Sequence, residues 1–250
     1  MVNIMTLETN FVYKLETQFE DFNENLLLKP YGYQQLCAQL GDIHLSKIDL
    51  NVDTTMKSKL SWVLTSLSIE IIKPVKGNIE LKGRTWHSDR KGPFFRREYV
   101  FSDKDDKVLF NAASFSVLLD MDKRNIYRKK ELPFYIADPI KEYLIDARHK
   151  SKIDSDLDFT KVTERQVYNS LLDPLGHVNN CRYGEFAYDV FTDIEVDKLE
   201  ELKRMDIYFK SELRKNDMFS LYKCVDDKTI VVRGENNTKG DTSFDIIFIF

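Results

Sequence analysis

Two stretches of the chain repeat apolar residues at helical spacing, and most other patterned positions alternate as strands do. Tyr33, Leu36, Cys37 and Leu40 fall at i, i+3, i+4 and i+7, which gathers them on one face of a helix. Pro30 stands near its start and Gly41 at its expected end, as helix boundaries favour. Tyr183, Phe186, Ala187 and Val190 repeat the spacing. Both stripes are read as core contacts, each helix burying one face. After the first helix, Val63, Thr65, Leu67, Ile69 and Ile71 alternate with more polar neighbours, and strand-like runs follow at 79–81, 95–101 and 108–119. The run S-D-K-D-D-K ahead of the last of these reads as a hairpin turn. After the second helix, strands are expected at 205–209, 218–223 and 229–233. The closing run 244–250 is apolar on both faces, which predicts a buried central strand.

The two patterned stretches read as two copies of one unit. Asp21 is aligned with Asp173, which brings Tyr31 onto Tyr183 and Asn25 onto His177. Each copy is then a leading strand, one long helix and several antiparallel strands, with the helix covering the apolar face of the sheet. The expected class is α+β, with units at 1–125 and 156–250. Residues 126–155 form a connector that starts basic, passes Pro133 and Pro139 and holds a short helix at Ile140–Ala147.

Composition narrows the setting. The 250 residues are 42% hydrophobic and 31% charged, as in globular proteins, and no apolar run reaches membrane-spanning length. The N-terminus lacks the basic start and apolar core of a secretion signal. Cys37, Cys181 and Cys224 are odd in number and widely spaced, so they are read as reduced in a cytoplasmic protein without a metal. The net charge is −4, yet residues 84–97 hold five Lys/Arg against one Asp, and 123–130 hold five more and no acid. Such runs suit an acidic partner. Nucleic acid is set aside, because no helix-turn-helix, zinc or RNA-binding signature accompanies the charge.

The chemistry concentrates in L-D-P-L-G-H-V-N-N-C-R-Y, residues 172–183. Asp173 precedes His177 by four residues. Pro174 biases Asp173 toward an extended backbone, and Gly176 permits a positive φ. A helix beginning just afterwards offers free N–H groups for a developing oxyanion. Val178 and Asn179 are the expected donors. Asn179 and Asn180 are also suited to capping the helix. A carboxylate, an imidazole and an oxyanion site together point to acyl hydrolysis.

The motif G-H-V-N-N-x-x-Y, with R-T-W at 84–86, F-R-R-E-Y-V-F-S-D at 95–103 and F-S-V-L-L-D at 115–120, resembles the acyl-acyl-carrier-protein thioesterases. The resemblance covers about residues 8–250 and implies a double hotdog fold, two tandem sheets each wrapped around a helix. It implies hydrolysis of fatty acyl-acyl-carrier protein (acyl-ACP) to free fatty acid, with one active site per chain and no cofactor. The implied partners are acyl carrier protein and the fatty acyl chain. The family pattern Asp-x-Asn-x-His, followed some 35 residues later by Glu, falls on Asp173, His177 and Glu212. Leu175 stands where the family has Asn. Pro74 lies opposite Glu212, so the first copy lacks both imidazole and carboxylate and is expected to hold the acyl chain, around Leu36, Leu40 and Trp62.

Three rival readings keep the same residues. Acyl-CoA could replace the carrier protein. A hydroxyacyl dehydratase also pairs His with a carboxylate, but its His-Phe-Pro-Gly segment is absent. A non-catalytic acyl-binding module would explain Leu175, though it needs no base. Fused halves already supply the pairing that single hotdogs get by dimerising, so monomer and homodimer both stay open.

Overall fold

The computed structural model describes residues 11–151, 153 and 157–250. The expectation of no secretion signal therefore lies mostly on residues outside those described, as does part of the polar end of the connector. The first half contains β1 (Val12–Glu16), α1 (Pro30–Lys47), α2 (Val52–Met56), β2 (Leu60–Ile71), β3 (Glu80–Lys91), β4 (Phe94–Ser102), β5 (Val108–Asp120) and β6 (Asn125–Ile126). The second contains β7 (Thr160–Gln166), α3 (Asn180–Tyr188), α4 (Asp193–Asp197), β8 (Arg204–Phe209), β9 (Met218–Val225), β10 (Thr229–Asn236) and β11 (Asp241–Ile249).

All strands join one antiparallel sheet in the order β1-β3-β4-β5-β2-β8-β11-β10-β9-β7, with β6 beside β5. The halves meet at β2 and β8, where Leu67 lies opposite Ile207. That seam leaves no free edge between the two units, and one core runs through both. β11 sits between β8 and β10 with Phe244, Ile246 and Phe248 fully buried, the central strand that its two-sided apolar run predicts. The 102–107 turn closes the β4–β5 hairpin.

α1 packs on α3 and on β3, and α3 packs on β11. Tyr33, Leu36, Cys37 and Leu40 are all buried, as are Tyr183, Phe186, Ala187 and Val190. Close approach of α1 to the sheet needs Gly83, where a Cβ would fall 2.8 Å from Leu40 and 2.9 Å from Leu15. The expected end of α1 at Gly41 is wrong. The helix runs on to Lys47, because Gly41 faces the Tyr99 hydroxyl and lacks the positive φ of a helix stop.

The repeat is real, but its register is two residues from the expected one. Both copies pass through a single 3-10 turn, a bridge pair and a tight loop before the helix. Phe22↔Leu28 in the first copy matches Leu172↔Val178 in the second. Leu26 and Gly176 both adopt positive φ. This puts Asn23 opposite Asp173, Asn25 opposite Leu175, Leu27 opposite His177 and Tyr33 opposite Tyr183. The Pro74–Glu212 match holds: the Tyr33 hydroxyl accepts the Val75 N–H at 3.1 Å, and the Tyr183 hydroxyl accepts the Leu213 N–H at 3.2 Å.

The expected helix at Ile140–Ala147 does not form; the segment carries no regular secondary structure. Side chains of the sheet take its carbonyls instead of a helical turn. Trp86 donates to Glu142 O at 3.1 Å, Arg96 to Ile145 O at 2.6 Å, Arg204 to Asp146 O at 2.6 Å and Ser66 to Arg148 O at 2.8 Å. The connector is thereby strapped across β2, β3, β4 and β8, from both halves.

Candidate active site

The turn before α3 folds around Asp173. Its carboxylate Oδ1 accepts the Leu175 N–H at 2.9 Å, its carbonyl accepts the Gly176 N–H at 3.0 Å, and its own N–H donates to His177 O at 2.9 Å. Gly176 takes φ +77°, the conformation that favours glycine. The turn brings Asp173 Oδ2 to 3.1 Å from His177 Nδ1, with both side chains mostly buried. Nε2 is left as the imidazole's available position.

Glu212 lies just beyond β8 rather than on a strand. The segment carrying it is laid directly against the histidine: Val178 N–H donates to Leu213 O at 2.8 Å, and His177 bridges Arg214. The Glu212 carboxylate is about half exposed and pairs with Arg214, at 2.8 Å from Nε and 2.5 Å from Nη2, rather than with His177. Buried Asp217 braces the loop by accepting the Arg214 N–H at 2.9 Å. Tyr183 sits beneath both elements. Burial raises its phenol pKa, and the charges of Glu212 and Asp173 push the same way. Its role as the pin for Leu213 could have been read from the N-N-x-x-Y spacing, but only once the register was known.

The expected oxyanion donors are committed elsewhere. Val178 N–H is bonded to Leu213 O, and Asn179 N–H to Leu171 O at 3.0 Å. Asn179 instead caps α3, its side chain accepting Cys181 N–H at 3.0 Å and its carbonyl accepting Arg182 N–H at 2.9 Å. Asn180, the first helical residue, keeps a first-turn N–H with no acceptor among the described residues, as helix geometry leaves it. It also lines the larger cavity.

That cavity measures about 540 Å³ and follows α1 past Cys37, Gly41, Leu45 and Ile48 to Trp62 and Phe95. Trp62 is placed as expected, with its Nε1–H on Leu50 O at 3.2 Å. Leu36 and Leu40 are not lining residues; they point into the core, and their helix neighbours Cys37, Ala38 and Gly41 take the cavity side. Leu175 is 42% exposed on the turn and lines neither this cavity nor the shallower groove beside Asp173. The cysteines are free, and burial pushes the thiols of Cys37 and Cys181 up, which argues against a thiolate nucleophile.

Four of the five bases in the 84–97 run are engaged within the fold, and Lys91 is exposed. Arg84 stacks on Trp86, Arg90 donates to Lys129 O and Lys130 O, Arg96 pairs with Glu98 at 2.6 Å, and Arg97 lines the cavity. No helix among the described residues is long and apolar enough to cross a membrane.

A continuous sheet wrapping two helices, one per repeat, with a His–Asp turn at the foot of the second helix, makes this a double hotdog of the thioester-hydrolase class. Two family models match the chain, the acyl-ACP thioesterase N-terminal domain over residues 7–132 and the C-terminal domain over 154–246. The chain belongs to the acyl-ACP thioesterase family. Among solved structures, an acyl-ACP thioesterase from Bacteroides thetaiotaomicron aligns with TM-score 0.79 at 21% identity, over 97% of this chain and 98% of that one. A 12:0-ACP thioesterase from Umbellularia californica aligns with TM-score 0.78 at 13% identity, over 96% of each. A MaoC-like dehydratase from Phytophthora capsici aligns with TM-score 0.60 at 14% identity, over 97% of this chain and 95% of that one. Fold likeness at these identities does not choose between hydrolysis and dehydration; the family match does. No curated protein sequence is significantly similar to the chain.

Proposed function

We propose that this protein releases free fatty acid from acyl-ACP by attack of water, with His177 as the base, Asp173 as its orienting partner and the Asn180 N–H as oxyanion donor. The carrying observation is the 3.1 Å approach of Asp173 to His177 Nδ1, which leaves Nε2 available; His177 itself lines neither cavity nor groove, and Asn180, the first residue of α3, is the link from its turn to the open cavity along α1. Water adds its oxygen to the thioester carbon and gives its proton to Nε2. Collapse of the tetrahedral species expels the pantetheine thiolate, which takes that proton back. A thiol of pKa about 8.5 leaves with little assistance. Glu212, held by Arg214 on the segment that pairs with His177, is the second carboxylate of the site and takes the water's proton either directly or through His177.

The acyl chain lies in the cavity along α1, so the first half holds substrate and the second does the chemistry. The asymmetry supports this. Leu27 and Pro74 occupy the positions of His177 and Glu212, while the backbone bonds of the two turns are the same. The carrier protein meets the exposed bases Lys215 and Lys239 beside Glu212; Lys239 reaches Glu212 O at 2.7 Å. The test is thiol release from a series of acyl-ACPs with matching acyl-CoAs in parallel. Turnover favouring the carrier-protein forms is expected. Saturable acyl binding without turnover on either series would replace this reading with a binding module.

A further inference from the structure

The cavity contains a cation that neither the fold nor the hydrolytic step uses. Arg97 projects from β4 into the space along α1. Its one hydrogen-bond partner among the described residues is Thr85, whose Oγ1 accepts from Nη1 at 3.3 Å. Neighbouring Arg96 also borders the cavity but is neutralised by buried Glu98, so the same strand pairs one guanidinium and leaves the next without a carboxylate among the described residues.

Asp42, Asp53 and Asp138 line the same cavity, but no carboxylate is among the groups whose charge acts on Arg97. The acidic groups acting on its charge are the phenols of Tyr99 and Tyr13. Burial pushes the Tyr99 phenol up to about 12. His44 on α1 and His87 on β3 are lowered to about 4, by burial first and then by Arg97 itself, and so stay neutral. Across the sheet, His87, Arg97 and Ser114 are consecutive register partners on β3, β4 and β5. The Ser114 hydroxyl lies 3.2 Å from that of Tyr99. A partly buried guanidinium without a counter-charge is costly. Ringed by hydroxyls and neutral imidazoles, it is a site built for an anion.

Resting on the thioesterase reading, we propose that Arg97 anchors a carboxylate at the far end of the acyl chain, so that the preferred substrate is an ω-carboxyacyl thioester rather than a plain alkanoyl one. The length fits. Gln34 donates to Asn180 O at 2.7 Å at the reacting end. His44, beside Arg97, is ten residues further along α1, about 15 Å at helical rise. A medium-length chain spans that distance.

The experiment compares monomethyl dodecanedioate with methyl dodecanoate as ligands of the intact protein by calorimetry, and the dodecanedioyl and dodecanoyl mono-thioesters with acyl carrier protein as substrates. The wild type is expected to favour the ω-carboxylate member by about tenfold or more in both measurements. In Arg97→Met that preference should disappear, and in Arg97→Lys it should partly survive. Each preference is a ratio within one protein, so a general loss of stability does not mimic it. If Arg97→Met fails to fold, the wild-type ratio decides alone. Equal or tighter binding of methyl dodecanoate by the wild type overturns the proposal. Dodecanoyl-ACP turnover with no response to the second carboxylate keeps the thioesterase reading and rejects this one. Preferential binding of monomethyl dodecanedioate without any turnover does the reverse.

Discussion

Replacing Tyr183 by Phe separates catalysis from stability, because the first half carries a built-in control. The Tyr183 hydroxyl accepts the Leu213 N–H at 3.2 Å, and the Tyr33 hydroxyl accepts the Val75 N–H at 3.1 Å. Both rings and both receiving residues are buried. Each substitution leaves one buried N–H unpaired, at about 1–3 kcal/mol. For a chain of this size that lowers Tm by about 2–4 °C per kcal/mol. The two variants should therefore lose similar stability. They should differ in rate, because Leu213 O also holds Val178 N–H, next to His177. Slackening that segment should lower kcat of Tyr183→Phe by about tenfold to a hundredfold. Tyr33→Phe frees only the turn opposite, where Leu27 and Pro74 stand, and should keep kcat within about twofold of wild type. Thermal melts and single-substrate thiol-release kinetics read both quantities. Equal kcat losses in the two variants, or an unchanged kcat in Tyr183→Phe, would refute the assignment of catalysis to the second half.

His177→Ala should lose about 10²–10⁴ in kcat with the fold retained, the usual contribution of a positioned base; a near wild-type rate in acyl-ACP assays sinks the site. Leu175→Asn restores the family residue on an exposed turn whose backbone bonds are already made, so activity and Tm should both move little; a large change in rate would show that position 175 reaches the substrate. His44 and His87 are held near pKa 4 in the fold against about 6.5 when unfolded. The unfolded chain therefore binds more protons between those values, and stability falls as pH drops from 6.5 toward 4. Urea melts across that window should show the decline, and His87→Gln should flatten it; an unchanged slope contradicts the shift. Gly234→Ala puts a Cβ 2.0 Å from the Phe244 ring and should cost about 1–3 kcal/mol by overpacking, measurable as a lower Tm.

The strands and helix faces were legible in the sequence because burial imposes their periods. Leu67, Ile69 and Ile71 alternate since one face of β2 meets the core. The boundaries were less legible. Gly41 carries the sign of a helix stop, yet tertiary packing against Tyr99 carries α1 past it. The strap at 140–147 had helical composition, but Trp86, Arg96 and Arg204 claim its carbonyls, and such long-range partners have no local signature. Asp173 and His177 were found as a pair because the turn that joins them is local. The N–H groups expected to be free, those of Val178 and Asn179, are consumed by Leu213 and Leu171, segments fixed by the tertiary fold, and this is why the proposed donor moves to Asn180. The cavity side of α1 was missed for the same reason. Leu36 and Cys37 are adjacent on one apolar stripe, and only the position of β4 decides which of them faces open space.

On the proposed assignment of catalysis to the second half, the first half keeps the turn and dispenses with its chemistry. The backbone bonds of the turn do not depend on the imidazole. In the first copy Asn23 replaces Asp173 and still accepts two N–H groups, from Asn25 at 3.0 Å and Leu27 at 2.9 Å. Leu27, at the histidine position, is buried in the core, so losing the base there gains apolar burial, worth up to about 2–3 kcal/mol for a leucine. Helix length follows the same division. α1 runs eighteen residues and walls the cavity, whereas α3 stops after nine. A cavity removes packing, at roughly 20 cal/mol per Å² of its surface, and the longer helix with its strapped sheet is the half able to bear it. Separating cavity from catalyst lets each half be stabilised by a device that the other's task excludes. The consequence is testable in the same assays: substitutions along the cavity side of α1, such as Ala38→Leu, should change which chain length is preferred and leave the pH dependence of kcat as in the wild type.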